Sequence, residues 1–506
     1  TKLCLISGAL SLIGSLWLYF HSFNIYFALL PLLLPPLVLA LGLYLPYVSV
    51  QSRRAQVETE LPLFSALASV MAVSGLSLIR SFDLALESGL FPAISREAAL
   101  LKRNTTYFNR SPLEALEELA HDHPSESFRQ WIFGYTSILR SGGDVAAYLI
   151  SKTKSFLKSL ERRWVAYANT ANTLSEAVLA LFLICPLSIA LTSLVFASEL
   201  GVIINNLYSF VVLPLVAALS ATIIHYIQPK TLNSYALNKY ALLSAAVAAA
   251  TLAALSSLRV LEPHEVLLAS LASSSLPLAV VSYGLVKEID QAEKALPDFL
   301  REVTEQVKLG LDINESVRRA LQRSYSKGLD KALIYIRNRM LMGSSLEEAV
   351  RGLKSPSWLV KSSLLILAQA SEGGLASPLA LEILTDYIHD YCSAKLSGRS
   401  NVKLQLFVGY AAPAFMVAGT TLLRALASQV AQPLAVDHSA EALLMFNQSL
   451  AAEVLSSIMS MAVLTSFIIG LLISKVYDLT FLSFRHTLIC LLVAAISMKL
   501  SPLLLK

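Results

Sequence analysis

Long stretches without a single Lys, Arg, Asp or Glu are the strongest constraint on this 506-residue chain. A helix needs about 20 mostly apolar residues to cross the hydrocarbon core of a bilayer, and an ionised group at its centre costs about 2.5–3.5 kcal/mol on insertion scales. The uncharged windows are 3–52, 177–198, 200–229, 240–258, 266–286, 404–423 and 454–474. The first has room for two helices and carries a polar break at His21-Ser22-Phe23-Asn24, which predicts a hairpin over 3–20 and 25–48. A single basic residue, Lys2, and the lack of a small-residue cleavage pattern read 3–20 as a span rather than a secretory leader. A shorter window, from His486 to Met498, reaches spanning length by continuing past Lys499. The expectation is an all-α polytopic membrane protein with about nine transmembrane helices.

The remaining charge is gathered in two islands. Residues 51–172 hold 14 basic and 12 acidic residues, and residues 287–403 hold 17 and 15, so most of the 40 basic and 35 acidic side chains sit there. The chain therefore divides into an N-terminal transmembrane hairpin at 1–50, a soluble domain at 51–172, four transmembrane helices at 173–286, a second soluble domain at 287–403 and three transmembrane helices at 404–506. Each island is close to neutral, which excludes nucleic acid as a partner because that binding needs a concentrated basic face. Cys4, Cys185, Cys392 and Cys490 are far apart and suggest small buried hydrophobes rather than a disulfide or zinc framework.

Lys and Arg near the span ends set the direction of insertion. With the N-terminus inside, Arg53, Arg54, Arg162, Arg163, Lys230, Lys239, Lys287, Arg399, Lys403, Lys475 and Arg485 all face the cytoplasm. Both soluble domains are then cytoplasmic and the C-terminus is external. The largest outer loop falls at about 428–450 and contains a glycosylation sequon at Asn447.

The two soluble islands repeat each other. Glu60-Leu61-Pro62 and Ala295-Leu296-Pro297 open parallel apolar helices, and Gly75-Leu76 matches Gly310-Leu311 at an offset of 235 residues. Ser81, Ala85 and Leu86 match Ser316, Ala320 and Leu321 at the same offset. Ser111-Pro112-Leu113-Glu114 matches Ser344-Ser345-Leu346-Glu347 at 233, and Gly142-Gly143 matches Gly373-Gly374 at 231. Val57, Leu61, Phe64, Ala68 and Met71, and likewise Leu296, Phe299, Leu300, Val303 and Val307, recur at helical spacing. Each domain reads as a bundle of five or six helices. The glycine pairs read as tight helix-helix turns, and Gly142, Gly143, Gly373 and Gly374 are also candidate domain tips that touch a partner.

Catalytic constellations are not expected, so no enzyme activity, cofactor or metal is assigned. No glycine is followed by Lys, which removes the phosphate-cradling loop of an ATPase. His264-Glu265 lacks a second His at zinc-protease spacing, and the His121-Asp122-His123-Pro124 run reads as a solvated turn. Tyr477-Asp478 lies just past the end of a span, and a second intramembrane carboxylate for an aspartyl protease is not found. A transporter or channel is the alternative reading, but Glu176, Glu199 and Glu453 flank spans rather than occupying the midplane such proteins use.

The repeated pattern of Leu-Pro, a helix ending in Gly-Leu, Ser-x-x-x-Ala-Leu, Ser-x-Leu-Glu-x-Ala and Gly-Gly resembles the F domain of type II secretion and type IV pilus machines. The relatives include secretion F proteins, pilus C proteins, Tad B and C proteins and the archaellum J protein. The first copy departs from the pattern by placing Leu116 where the last Ala falls, and the second by placing Leu375 opposite Asp144. Nine spans, against three in typical bacterial two-domain members, are similar to the archaeal platform proteins of archaella and pili. The resemblance implies a multi-pass platform in the cytoplasmic membrane, homodimeric, without enzymatic activity. Its implied partners are a hexameric secretion ATPase and type IV pilins or archaellins, together with the lipid bilayer. The ATPase-contacting candidates are Arg80, Lys102, Arg103 and Arg110 in the first domain and Arg318, Arg319, Arg323, Arg337 and Arg339 in the second.

Overall fold

The computed structural model describes residues 34–196, 199–233, 238–258, 262–372, 378–431 and 441–504, and every regular element among them is helical. Contacts divide the chain into two compact units, Thr1–Ala72 with Leu76–Thr153, and Val73–Gly75 with Lys154–Lys506.

The first repeat is built from six helices: α1 (Leu34–Val73), α2 (Leu78–Ser88), α3 (Pro92–Thr106), α4 (Pro112–His121), α5 (Glu126–Ser141) and α6 (Val145–Leu179). The expected stripe Val57, Leu61, Phe64, Ala68 and Met71 is buried, because a helix with that spacing has one apolar face to cover. Phe64 is the centre of an aromatic cluster, with edge-on contacts to Phe82, Phe91 and Trp131 at centroid distances of 4.9, 5.7 and 5.7 Å. Pro92 starts α3 at a position whose N–H has no helical partner anyway. Ser111 and Glu114 close a reciprocal capping box on α4, and Ser125 caps α5. Gly142, at φ +70°, ends α5 in the left-handed conformation, and the Gly143 N–H returns to the Ile138 carbonyl at 2.9 Å.

The second unit carries the other repeat, also as six helices: α11 (Pro263–Lys308), α12 (Ile313–Ala320), α13 (Lys327–Leu341), α14 (Leu346–Arg351), α15 (Trp358–Glu372) and α16 (Pro378–Asn401). Its stripe Leu296, Phe299, Leu300, Val303 and Val307 is likewise buried. The first helices of both repeats end alike. Gly75 and Gly310 hold φ of +75° and +93°, and the Leu76 and Leu311 N–H groups bond back to Met71 and Gln306 at 2.8 and 3.2 Å.

One register from the sequence is corrected. The residue that caps α14 is Ser345, with Glu348 closing its box, so the match to Ser111 and Glu114 runs at an offset of 234 rather than 233. Ala115 then aligns with Ala349, both fully buried, and the apparent departure at Leu116 disappears, since Leu116 aligns with buried Val350. The capping geometry decides this because only the serine at N-cap can reach the N3 N–H.

Between and after the repeats lie α7 (Cys185–Phe196), α8 (Glu199–Leu207), α9 (Leu213–Ile227), α10 (Asn238–Leu258), α17 (Lys403–Ala431), α18 (Glu441–Tyr477) and α19 (Arg485–Leu504). Single π-helical turns, Ala180–Ile184 and Tyr208–Val212, join α6 to α7 and α8 to α9. Among the described residues, Leu200–Ile227, Pro263–Lys308, Pro378–Leu423 and Glu453–Tyr477 are long and apolar enough to cross a membrane. The windows 177–198 and 240–258 hold the shorter apolar helices Ala180–Ser193 and Leu242–Ser257. The window 3–20 lies outside the described residues, and 25–48 is described only from Leu34. Of the expected outer segment at 428–450, α17 reaches Ala431 and α18 begins at Glu441, with 432–440 outside the described residues, and the apolar span on α18 begins at Glu453.

Polar side chains bind the apolar helices to each other. Buried Asn205 on α8 donates to Ser193 on α7 and Ser457 on α18, at 2.9 and 3.2 Å. Hydroxyls and amides join helices this way where no water competes.

Candidate functional site: repeated modules and a buried charge junction

Two links between distant helices are duplicated in the two modules. Ser69 on α1 shares a hydroxyl hydrogen bond with Thr153 on α6 at 2.9 Å, and Thr304 on α11 shares one with Thr385 on α16 at 2.8 Å. Ser125 donates its hydroxyl to Glu58 at 3.0 Å while accepting from the Phe128 N–H. Ser357 donates to Glu293 at 2.9 Å while accepting from the Val360 N–H. Each serine therefore holds the start of the fifth helix to a carboxylate on the first. Sequence reasoning missed both links, although Glu58 and Glu293 recur at the 235-residue offset and were a readable signal.

In the first unit the carboxylate system extends further. Arg53 grips Glu97 with two hydrogen bonds of 2.8 and 2.7 Å, and His123 Nε2 faces the same carboxylate at 3.7 Å. The Ser125 N–H donates to His123 Nδ1 at 3.0 Å, which leaves Nε2 as the proton-bearing nitrogen directed at Glu97. Burial works to raise the Glu97 pKa, but the neighbouring His123 ring and the hydrogen bonds from Arg53 outweigh it and hold the group below its ordinary value. The His-Asp-His-Pro run is thus not a solvated turn as a whole. His121 is exposed, whereas His123 is buried because its ring packs on Phe128 at 4.5 Å. Glu60 accepts from the Ala93 and Ile94 N–H groups at the start of α3, and burial pushes its pKa up to about 7.

The cationic candidates lie on module surfaces. Arg80, on α2, pairs with Glu87 at 3.3 Å. Lys102 and Arg103 are exposed towards the end of α3, with Arg103 in its last turn, and Arg110 beyond it pairs with Glu118 at 2.8 Å. Arg318 and Arg319 are exposed on α12, with Arg319 bridged to Glu315, and Arg323 pairs with Glu302 at 3.0 Å. Arg337 and Arg339 are exposed on α13. The structure brings Arg103 and Arg110 together around one depression of about 350 Å³, which Arg53, Phe108 and Leu119 also line. Helices α3 and α13 are the same length and begin 235 residues apart, so Lys102 and Arg337 occupy one equivalent position. Gly142, Gly143 and Asp144 form an exposed turn, with Asp144 accepting from the Ala147 N–H to cap α6. Gly373, Gly374 and Leu375 lie outside the described residues.

Within the second unit, charge is also buried where helices meet the loop between α18 and α19. Lys395 on α16 pairs with Glu293 at 2.5 Å, and one helical turn on, Arg399 pairs with Asp290 at 2.6 Å. In the loop, Asp478 has a fully buried side chain that takes a two-pronged contact from Arg485, a hydrogen bond from Ser483 and a contact to His486 at 3.1 Å. The Tyr477 ring lies near both guanidiniums, 5.8 Å from Arg399 and 5.9 Å from Arg485. Burial works against the charged form of Asp478, yet His486 and Arg485 hold its pKa at about 2.

The same junction receives the sixth helix of the first repeat. Trp164, Tyr167, Ala168 and Ala171 of α6 pack against Ala394, Val402 and Leu479. Tyr167 donates to the Val476 carbonyl at 2.6 Å, and Leu479 holds a left-handed φ of +60°, uncommon for a branched residue. Gly398 is required here, since an added Cβ would lie 2.8 Å from the Trp164 ring. The sixth helices of both repeats therefore meet one another and the final helical pair at a charge cluster in which Glu293, Lys395 and Asp478 are buried.

This architecture defines a class: a polytopic helical membrane protein with two copies of one six-helix module. The family model of the type II secretion system protein F matches residues 64–192 and 299–423, half the chain and one segment in each repeat. The chain belongs to that family, whose members are structural membrane platform proteins of type II secretion and type IV pilus systems and interact with secretion ATPases and pilins. No curated protein and no solved structure matches the chain.

Proposed function

We propose that this chain is the membrane platform of an archaeal type IV filament, a pilus or an archaellum, that couples a cytoplasmic hexameric ATPase to pilin extraction and filament assembly. The observation that carries the reading is the meeting of both sixth helices at the Asp478 junction, where Trp164 enters beside Gly398. A displacement of either module's sixth helix reaches the α18–α19 pair through close packing and buried ion pairs, which are bistable rather than compliant. The exposed cations at equivalent positions, Lys102 and Arg337, support docking of a protein with acidic surface, since charge complementarity favours specificity and encounter rate. The uncharged windows of the sequence support the archaeal type.

The test is direct binding of the purified secretion ATPase from the same cell to the full chain in nanodiscs. Saturable binding that weakens with salt and with Lys102→Glu or Arg337→Glu is the expected result. No binding in any nucleotide state would overturn the ATPase-coupled reading.

A further inference from the structure

The corner between the third and fourth helices is exposed and apolar in both modules. In the first, Tyr107 and Phe108 are 82% and 61% exposed; in the second, Leu341 and Met342 are 79% and 78% exposed. Tyr107 and Met342 are the C-cap residues of α3 and α13, at the same offset of 235. Apolar side chains so exposed are unremarkable singly, but a pair at the same corner of both copies, built from different residue types, is not explained by packing within either module. Left-handed residues turn the chain sharply at each corner, Asn109 at φ +49° and Gly343 at φ +90°.

Cations stand beside each pair. Lys102, Arg103 and Arg110 flank the first, with the Arg103 guanidinium 5.7 Å from the centre of the Phe108 ring. Arg339, in the last turn of α13, and exposed Arg337 just before that turn flank the second. The depression of about 350 Å³ beside Phe108 is lined by Leu100 and Leu119, by Arg53, Arg103 and Arg110, and by Asn104, Glu118 and Asp122, with Arg110 paired to Glu118, so the cations that the first corner offers outward are Lys102 and Arg103. An apolar knob with cations around it is complementary to a hydrophobic socket bordered by carboxylates.

We infer that the Tyr107-Phe108 and Leu341-Met342 corners are equivalent docking knobs that insert into acidic-rimmed apolar sockets on the secretion ATPase. This rests on the proposed function and names the surface that serves it. Duplication of the knob suits a hexamer, which offers the same socket on each subunit.

The experiment uses the full chain in nanodiscs with the purified ATPase. The paired variants Tyr107→Ser with Phe108→Ser, and Leu341→Ser with Met342→Ser, change only exposed side chains, so they retain the wild-type helical signal. Each pair is expected to weaken ATPase binding by about tenfold, and both pairs together by more, as loss of interface anchors does. A photo-crosslinking residue at position 108 or 342 is expected to capture the ATPase. If the wild type binds and all variants bind equally well, the knobs are overturned while the ATPase reading stands. If the wild type does not bind, both fail. Capture of lipid or of a second copy of this chain in place of the ATPase also overturns the inference.

Discussion

Ser125 donates its hydroxyl to Glu58 at 3.0 Å, tying the start of α5 to α1 across 67 residues of chain. Ser357 repeats the contact to Glu293 in the other module. Each serine also caps its helix, so Ser125→Ala and Ser357→Ala remove a donor and an acceptor at once. Each is expected to cost about 1–2 kcal/mol, in the range of lost N-caps. Unfolding in detergent followed by tryptophan fluorescence measures this, and unchanged stability in both variants would refute a structural role for the link.

Gly398 and Trp164 carry the contact between the two sixth helices. Gly398→Ala puts a methyl against the indole and is expected to cost about 1–3 kcal/mol, as overpacking does. Trp164→Leu in the Gly398→Ala background relieves the clash and restores part of the loss. If the second change worsens the first additively, the two residues do not meet as described.

Asp478 gives the junction a definite pH signature. Its pKa is about 2 in the folded protein, below its ordinary 3.8, so its stabilisation is fully present above the ordinary value and is lost as pH falls through the folded one. Asp478→Ala strands Arg485 and His486 and is expected to cost about 3–5 kcal/mol. Thermal unfolding of wild type and variant across acidic pH checks both points; equal acid sensitivity would contradict them.

Glu60 acts in the opposite direction. Burial raises its pKa from 4.5 to about 7, so its contribution favours the folded state below 4.5 and fades as pH rises through 7. Glu60→Gln is expected to flatten that slope in the first unit. Glu97, held below its ordinary value, titrates with the reverse sign and only at more acid pH, so the two effects separate on a pH scan.

Much of this was legible in the sequence where burial sets the spacing. Val57, Leu61, Phe64, Ala68 and Met71 announced their helix because one face had to be apolar, and Gly75 and Gly310 announced its end because few other residues take positive φ. The match of Ser111 to Ser345 was one residue off, since Ser344 and Ser345 are both possible caps and only geometry separates them. The charge junction was not legible. Glu293 and Lys395 are 102 residues apart and Asp290 and Arg399 are 109 apart, while Asp478 and Arg485, only seven apart, sit in a loop that no apolar period marks, so the cluster exists only after the chain folds. His123 was misread because a histidine next to proline carries no sequence mark of the aromatic face that buries it.

The central claim is that this chain is the platform on which a surface filament is built. Deletion of its gene, followed by electron microscopy of the cells and complementation with the wild-type chain, tests it most directly. The account predicts that one class of filament disappears and returns on complementation, with loss of swimming if that filament is an archaellum and intact swimming if it is a pilus. Survival of every filament in a cell with no second platform protein would contradict it.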